Sequence, residues 1–416
     1  MTRNLPVKAD RIAADIDALA AITEPDKPWT RRAFTPMFLK GRDYLIRRFK
    51  EAGLETRIDA AGNLVGVRKG KGYENGGAKG TIMLGSHSDT VPNGGRFDGI
   101  AGVVTALEVA RAFDEAGIEL EHDLEITDFL AEEVSIFGVS CIGSRGMLGL
   151  RPVEWLERQA DGMTLAEGIR LVGGDPAVAG GRDDIRAFLE LHIEQGPVLE
   201  NRNIDIGVVT AIAGISRFEI TVEGRADHAG TTPMGSRRDA LTSASRLVLG
   251  VERIASELSL GPTHFAATVG EFSMEPNAAN VVPSHVRMLI DARAEDPAVM
   301  ETFGEAVGAL CIQTAAKSGV TIPPPRRISN NPATPMAQAV VALLEESAAA
   351  IGASSRRMVS GAGHDAAFLA KVAPAAMVFI PCRDGRSHAP EEWAENDDIA
   401  LGAAVLYETV LKLDQQ

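Results

Sequence analysis

A chain of 416 residues, 45% of them hydrophobic, can bury a large core and is long enough for two domains, yet it has no apolar run of about eighteen residues. Its formal net charge of −15 argues against nucleic acid or an anionic membrane as partner, while leaving room for a local basic pocket that takes a small anion. Three widely spaced cysteines, Cys141, Cys311 and Cys382, argue against a disulfide scaffold, and the first ten residues lack the apolar centre of a secretory signal, so a cytoplasmic protein is expected.

In chain order, helical apolar spacing predicts outer helices over Ala9–Ala21 and Pro36–Ala52, the second with Phe38, Leu39, Leu45 and Phe49 on one side. Strands are expected at Leu54–Ile58 and Asn63–Val67, followed by a Gly-rich loop, Gly70–Gly80. The apolar run Thr81–Leu84 then delivers Gly85-Ser86-His87-Ser88-Asp89-Thr90 to a strand end. His87 and Asp89 lie two apart, so an extended backbone turns both to one side, and a metal-bound imidazole needs its second ring nitrogen held. Asp98 follows in the segment Asn93–Gly99, ahead of a helix expected over Ile100–Ala116.

The next strand, Leu124–Ala131, ends in Glu132-Glu133. Adjacent carboxylates can point in different directions, one to a metal and the other free to move a proton. Further strands end at His192, just before Glu194-Gln195-Gly196, and in Ala376–Pro381, ahead of Ser387-His388-Ala389. Singly, each has a plain structural reading: a capping Asp, a core imidazole, a solvated acidic turn. Together, His87, His192 and His388 with Asp98 and Glu133 suit two borderline divalent metals. The strand–helix–strand rhythm predicts an α/β catalytic domain with a mixed, largely parallel sheet and helices on both faces.

Between Ala213 and Ser329 the pattern changes. Strands are expected at Ser216–Gly224, Thr263–Ser273 and His285–Asp291, with helices over Arg237–Leu258 and Pro297–Ala316, which predicts an inserted α+β domain. The expected boundaries are 1–212 and 330–416 for the catalytic domain and 213–329 for the insertion. Helices over Ala337–Ile351 and Asp398–Leu413 close the chain.

The segments GSHSDT, FDGIAG, AEE, LHIEQGPVLE, DHAGTTPMGSRRDA, PNAANVVP, DAR, SGAGHDA and SHAPEEW span nearly the whole chain. In these motifs the chain resembles the dinuclear metal-dependent amidohydrolases that include N-carbamoyl-L-amino-acid hydrolase, allantoate amidohydrolase and β-ureidopropionase, relatives of the aminoacylases and bacterial carboxypeptidases. The resemblance implies two divalent ions, zinc first and manganese, cobalt or nickel as alternatives, with His87 and His192 on different metals. Asp98 would bridge, Glu133 and His388 would complete the two sets, Asp89 would orient His87, and Glu132 would be the general base. It also implies that the insertion is a lid and dimerisation domain. There His228 would stabilise an oxyanion while Arg217, Asn280 and Arg293, with Gln195, hold a small ureido carboxylate. In a homodimer such lid residues complete the neighbouring subunit's site.

The expected reaction is hydrolysis of the ureido C–N bond of an N-carbamoyl-L-amino acid to the amino acid, ammonia and carbon dioxide. Its rivals are allantoate amidohydrolase, β-ureidopropionase, an aminoacylase or dipeptidase, and a catalytically silent binding protein. One departure is visible: many relatives carry a third acid where this chain reads Glu132-Glu133-Val134. His364 and Asp365 are expected to shape a loop and take no chemical part, and His122, His264 and His285 are read as structural.

Overall fold

The computed structural model describes residues 5–73, 80–178 and 180–416. The chain divides into two compact units, one comprising Met1–Thr210, Pro335–Met358 and His364–Gln416, the other Ala211–Thr334 with Val359–Gly363.

The first unit is a mixed sheet whose centre is parallel. Strands Asp123–Phe129, Thr81–His87, Ile185–Ile193 and Ala375–Ile380 lie side by side in that order and run the same way. Thr81–His87 and Ala375–Ile380 are buried at every position, as continuous apolar strands covered on both faces should be. Antiparallel strands flank them: Glu55–Ile58 and Leu64–Arg68 on one side, Ile206–Ile212 on the other. Leu84 pairs with Leu189, which brings His87 level with His192 three residues further on.

Helices Ile100–Glu115 and Asn396–Asp414 pack on the central strands, Ala9–Ala20 packs on those two helices, and Pro36–Glu51 packs on the first hairpin. A buried carboxylate ties three of these helices together, since Asp15 accepts hydrogen bonds from Tyr44 Oη (2.6 Å), Arg48 Nε (2.7 Å) and Arg111 Nη1 (2.6 Å). Of the Gly-rich loop Gly70–Gly80, Lys71–Tyr73 forms a short 3-10 turn and residues 74–79 lie outside the described residues.

The second unit is a four-stranded antiparallel sheet in the order Phe265–Glu275, His285–Ala294, Gly214–Glu223, Arg326–Asn331. Buried and half-buried residues alternate along His285–Ala294, so Val286, Met288 and Ile290 face a core completed by Leu247, Val251, Phe303 and Val307 of helices Ala240–Ser259 and Pro297–Ser318. Each such side chain stabilises the unit by about 1.5–3 kcal/mol relative to exposure. The first of these helices begins three residues later than its periodicity suggests, because the Asp239 side chain accepts from Thr242 N (2.9 Å) and caps it there. Strand Arg326–Asn331, absent from the expected elements, is a polar edge strand with no apolar alternation to reveal it. Among the described residues no helix is long and apolar enough to cross a membrane.

Candidate active site

The parallel strands deliver their last residues to one cluster. His87 ends its strand buried, with Nδ1 3.0 Å from the main-chain oxygen of Asp89, and His192 is buried with Nδ1 3.0 Å from the oxygen of Ile193. A neutral imidazole that donates from Nδ1 to a carbonyl keeps a lone pair on Nε2. Both Nε2 atoms face Asp98 Oδ1, at 3.5 and 3.3 Å, and His192 Nε2 also accepts from Gly99 N (3.2 Å). Glu132 Oε2 stands 3.6 Å from His87 Nε2. The other oxygen of Asp98 lies 3.4 Å from His388 Nε2, and Glu133 Oε1 lies 3.1 Å from that same nitrogen.

Two groups result, His87–Asp98–His192 and Asp98–Glu133–His388, sharing Asp98. With both imidazoles neutral in that tautomer, the groups around Asp98 Oδ1 are all acceptors, which either added protons or a cation between them would reconcile. A nitrogen and oxygen donor set with one carboxylate common to both groups fits a pair of divalent ions.

The grouping departs from expectation in one respect. His87 and His192 fall in one group and are not divided between the two, because their strands are neighbours in register and both rings reach the same Asp98 oxygen. Asp89 meets His87 Nδ1 through its main-chain carbonyl; its carboxylate is 3.6 Å away and accepts from Glu132 N (3.2 Å).

Local sequence explains the geometry. Gly99 has φ 66°, and a Cβ on it would lie 2.4 Å from the His87 ring, so only glycine lets Asp98 and the following helix approach that imidazole. Ala131 is left-handed (φ 52°) just after its strand, and beyond it Glu132 is buried against His87 while Glu133 turns to His388.

The electrostatics point the same way. Burial works against charge on Asp98, yet His192, then His388 and His87, hold its carboxyl well below the usual range. Burial would lower the His87 pKa, but the charge of Glu132, with Asp89 and Asp98, raises it well above normal. His388, held by Asp98 and Glu133, is pushed up to about 10. Glu132 is pushed well above the carboxylate range by burial, with His87 opposing and Glu133, Asp365 and Asp89 adding to the rise. A cavity that favours protonated imidazoles beside carboxylates is one that favours added positive charge.

Several neighbours carry no periodic signal in the sequence. Cys141 Sγ lies 3.6 Å from Glu132 Oε1, and burial keeps that thiol protonated by raising its pKa well above normal. Glu190 is buried, accepting from Ser86 Oγ (2.9 Å) and Ala366 N (3.1 Å). Asp365 is fully buried, accepts from Ser144 Oγ, and is pushed well up by burial and then by the charge of Glu190. The His364 ring meets that of His192 edge-on, with centroids 4.6 Å apart. Glu392 accepts from Phe97 N and Asp98 N, and burial, with the Asp98 charge, pushes its carboxyl up to about 7.

Gln195 is drawn into the cluster: Nε2 donates to Asp98 Oδ2 (2.7 Å), while Oε1 is buried with no hydrogen-bond partner among the described residues. Arg217, His228, Asn280 and Arg293 belong to the second unit. His228 is exposed on the two-residue strand Asp227–His228, where its Nδ1 accepts from Gly230 N (3.0 Å) and Thr231 N (3.3 Å), leaving the proton on Nε2. Asn280 is exposed beside it, its main-chain carbonyl accepting from Ala229 N (3.0 Å). Arg217 and Arg293 flank Asp291, their Nε atoms 3.2 and 2.9 Å from its oxygens.

The chain matches peptidase family M20/M25/M40 over residues 83–412. It is 37% identical to an N-carbamoyl-L-amino-acid amidohydrolase from Paenarthrobacter aurescens, with 98% of both chains covered. It is 34% identical to an allantoate amidohydrolase from Bacillus subtilis, with 92% of both covered. Among solved structures it is similar to an amidase of the hydantoinase/carbamoylase family from Burkholderia multivorans, with a TM-score of 0.90 and 39% identity over 99% of this chain and 98% of that one.

Proposed function

The chain belongs to peptidase family M20/M25/M40 and is a hydrolase of non-peptide C–N bonds, and from that premise we propose that it cleaves the ureido bond of N-carbamoyl-L-amino acids, releasing the amino acid, ammonia and carbon dioxide. The family implies divalent metal ions; zinc is our first choice, ahead of manganese, cobalt and nickel. His87, Asp98 and His192 would hold one ion and Asp98, Glu133 and His388 the other. Such ions polarise the scissile carbonyl and acidify the attacking water.

The rest of the chemistry belongs to side chains. Glu132, buried beside His87 and kept from the second ion's donors, takes the proton of the attacking water and passes it to the leaving nitrogen. His228, with its proton fixed on Nε2, donates to the developing oxyanion, and Arg293, Asn280 and Arg217 take the substrate carboxylate. As in the family resemblance, we assign these four to the neighbouring subunit's site in a homodimer. Three free, buried cysteines suit a reducing cytoplasm.

The observation that carries the choice of a ureido substrate is Gln195. Its buried Oε1 lacks a donor among the described residues, and the terminal NH2 of a carbamoyl group supplies N–H bonds that an acyl group lacks. Allantoate, also a ureido acid, is the second reading, favoured by the Bacillus subtilis relative.

The test is turnover by protein reconstituted with divalent metal, read as ammonia release from the ureido substrates and as release of free amino acid from the N-acetyl substrates. Substrates are N-carbamoyl-L- and D-amino acids, N-carbamoyl-β-alanine, allantoate and N-acetyl amino acids. Preference for the L-carbamoyl series supports the proposal, preference for allantoate replaces it with the second reading, and activity on N-acetyl amino acids alone overturns both.

A further inference from the structure

Two loops distant in sequence bring Asp98 and His388 together, and a single buried carboxylate fastens them. Glu392 is 1% exposed. Its Oε1 accepts from Phe97 N (2.8 Å) and Asp98 N (3.0 Å), and its Oε2 contacts Ser387 Oγ (2.8 Å), next to His388. Ser387 Oγ in turn donates to Asp98 Oδ2 at 2.7 Å, the oxygen that faces His388. One side chain thus holds the backbone before and at the shared carboxylate and, through a hydroxyl, the loop of the third imidazole.

The surroundings are built for that contact. A Cβ on Gly95 would lie 1.9 Å from the Glu392 carboxylate, so the Asp98 loop can close over it only with glycine there. The rings of Phe97 and Trp393 meet edge-on at 5.5 Å, and the Arg96 guanidinium lies over both, at 5.6 and 5.3 Å. His388 itself is held at φ 54°, a conformation a non-glycine residue keeps only when its surroundings impose it.

We propose that Glu392 is a positioning residue that sets the separation and orientation of Asp98 and His388, and so the affinity of the centre for divalent ions, acting through the Phe97–Asp98 backbone and Ser387. The proposal rests on the two-ion reading given above. Proton counting predicts which substitution is tolerated. Ser387 has one proton for two carboxylate contacts, and in Glu392→Gln the amide can donate to Ser387 Oγ while its carbonyl accepts the two backbone N–H groups.

The test is equilibrium dialysis of apo protein against zinc and manganese, with kcat and KM measured on the reloaded protein. Glu392→Ala is expected to weaken metal affinity by about 10–100-fold, the usual effect of removing a partner that holds a ligand. kcat should fall at saturating metal, with KM little changed. Glu392→Gln should return affinity close to that of the unsubstituted protein, whereas Gly95→Ala, which displaces the carboxylate without removing it, should reproduce the loss. If Glu392→Ala does not fold, the Gln and Gly95 variants decide: weakening in Gly95→Ala with retention in Glu392→Gln supports the role. Metal affinity unchanged in both Glu392→Ala and Gly95→Ala, whatever their melting temperatures, overturns it while leaving the two-ion reading intact. Failure of the unsubstituted protein to take up either ion overturns both.

Discussion

The parallel-sheet unit and the antiparallel unit treat their polar residues in opposite ways. In the first, His87, Asp98, Glu132 and His192 are buried, and the side chain of each meets a backbone group or a second side chain. In the second, His228 stands exposed on a two-residue ribbon with Asn280 exposed beside it, and the hydrophobic core lies on the other side of the sheet from the ladder Arg326–Glu219–Arg287–Glu271. Buried carboxylates and imidazoles need their partners in place before any ligand arrives, since an unpaired buried charge is costly. Exposed donors keep their hydration until something displaces it. Under the proposed function, the contrast separates a preformed centre from groups that would act only once a substrate reaches them.

That separation can be broken or sharpened by experiment. The largest effect is expected from stripping divalent ions with a chelator, which should abolish turnover and raise the protein's sensitivity to heat, both restored by adding the ion back; full activity after verified metal removal would end the two-ion reading. Next comes Glu132→Gln, expected to cut kcat by about 10²–10⁴-fold with metal content retained, as measured by steady-state kinetics beside elemental analysis. Turnover at the original rate would take the base role from Glu132.

His228→Ala should lower kcat by about 10²–10³-fold, the usual effect of losing one oxyanion donor, without changing metal content. Loss of metal in that variant would erase the distinction between the units. The smallest effect is expected from Arg293→Ala: a rise in KM of about 10–100-fold for carboxylate substrates, as for loss of a charged hydrogen bond, with kcat nearly constant. An equal loss of kcat would move Arg293 from binding to transition-state stabilisation.

Much of the framework can be read from the chain because it obeys simple periodicities. Thr81–Leu84 is apolar and short, and it is a central strand; Pro36–Glu51 and Ile100–Glu115 show helical spacing close to their observed limits. Arg326–Asn331 escapes because an exposed edge strand has no need of apolar alternation. The residues gathered around Asp98 all lie beside recognisable strand ends, but their grouping depends on the pairing of Leu84 with Leu189, a long-range register that no local pattern encodes. Glu392 and Gly95 are harder still to see, since their contact joins segments nearly three hundred residues apart and leaves no periodic trace.

The three thiols have a practical consequence. Cys141, Cys311 and Cys382 are all buried, and burial raises their pKa values, to about 11 for Cys311 and about 12 for Cys382. At neutral pH almost none of this sulfur is the nucleophilic thiolate, so the native chain should be nearly silent towards maleimides. A single Met234→Cys substitution, at a side chain 77% exposed in the His228 segment, would then accept a fluorophore or spin label at one defined place without removing any natural cysteine.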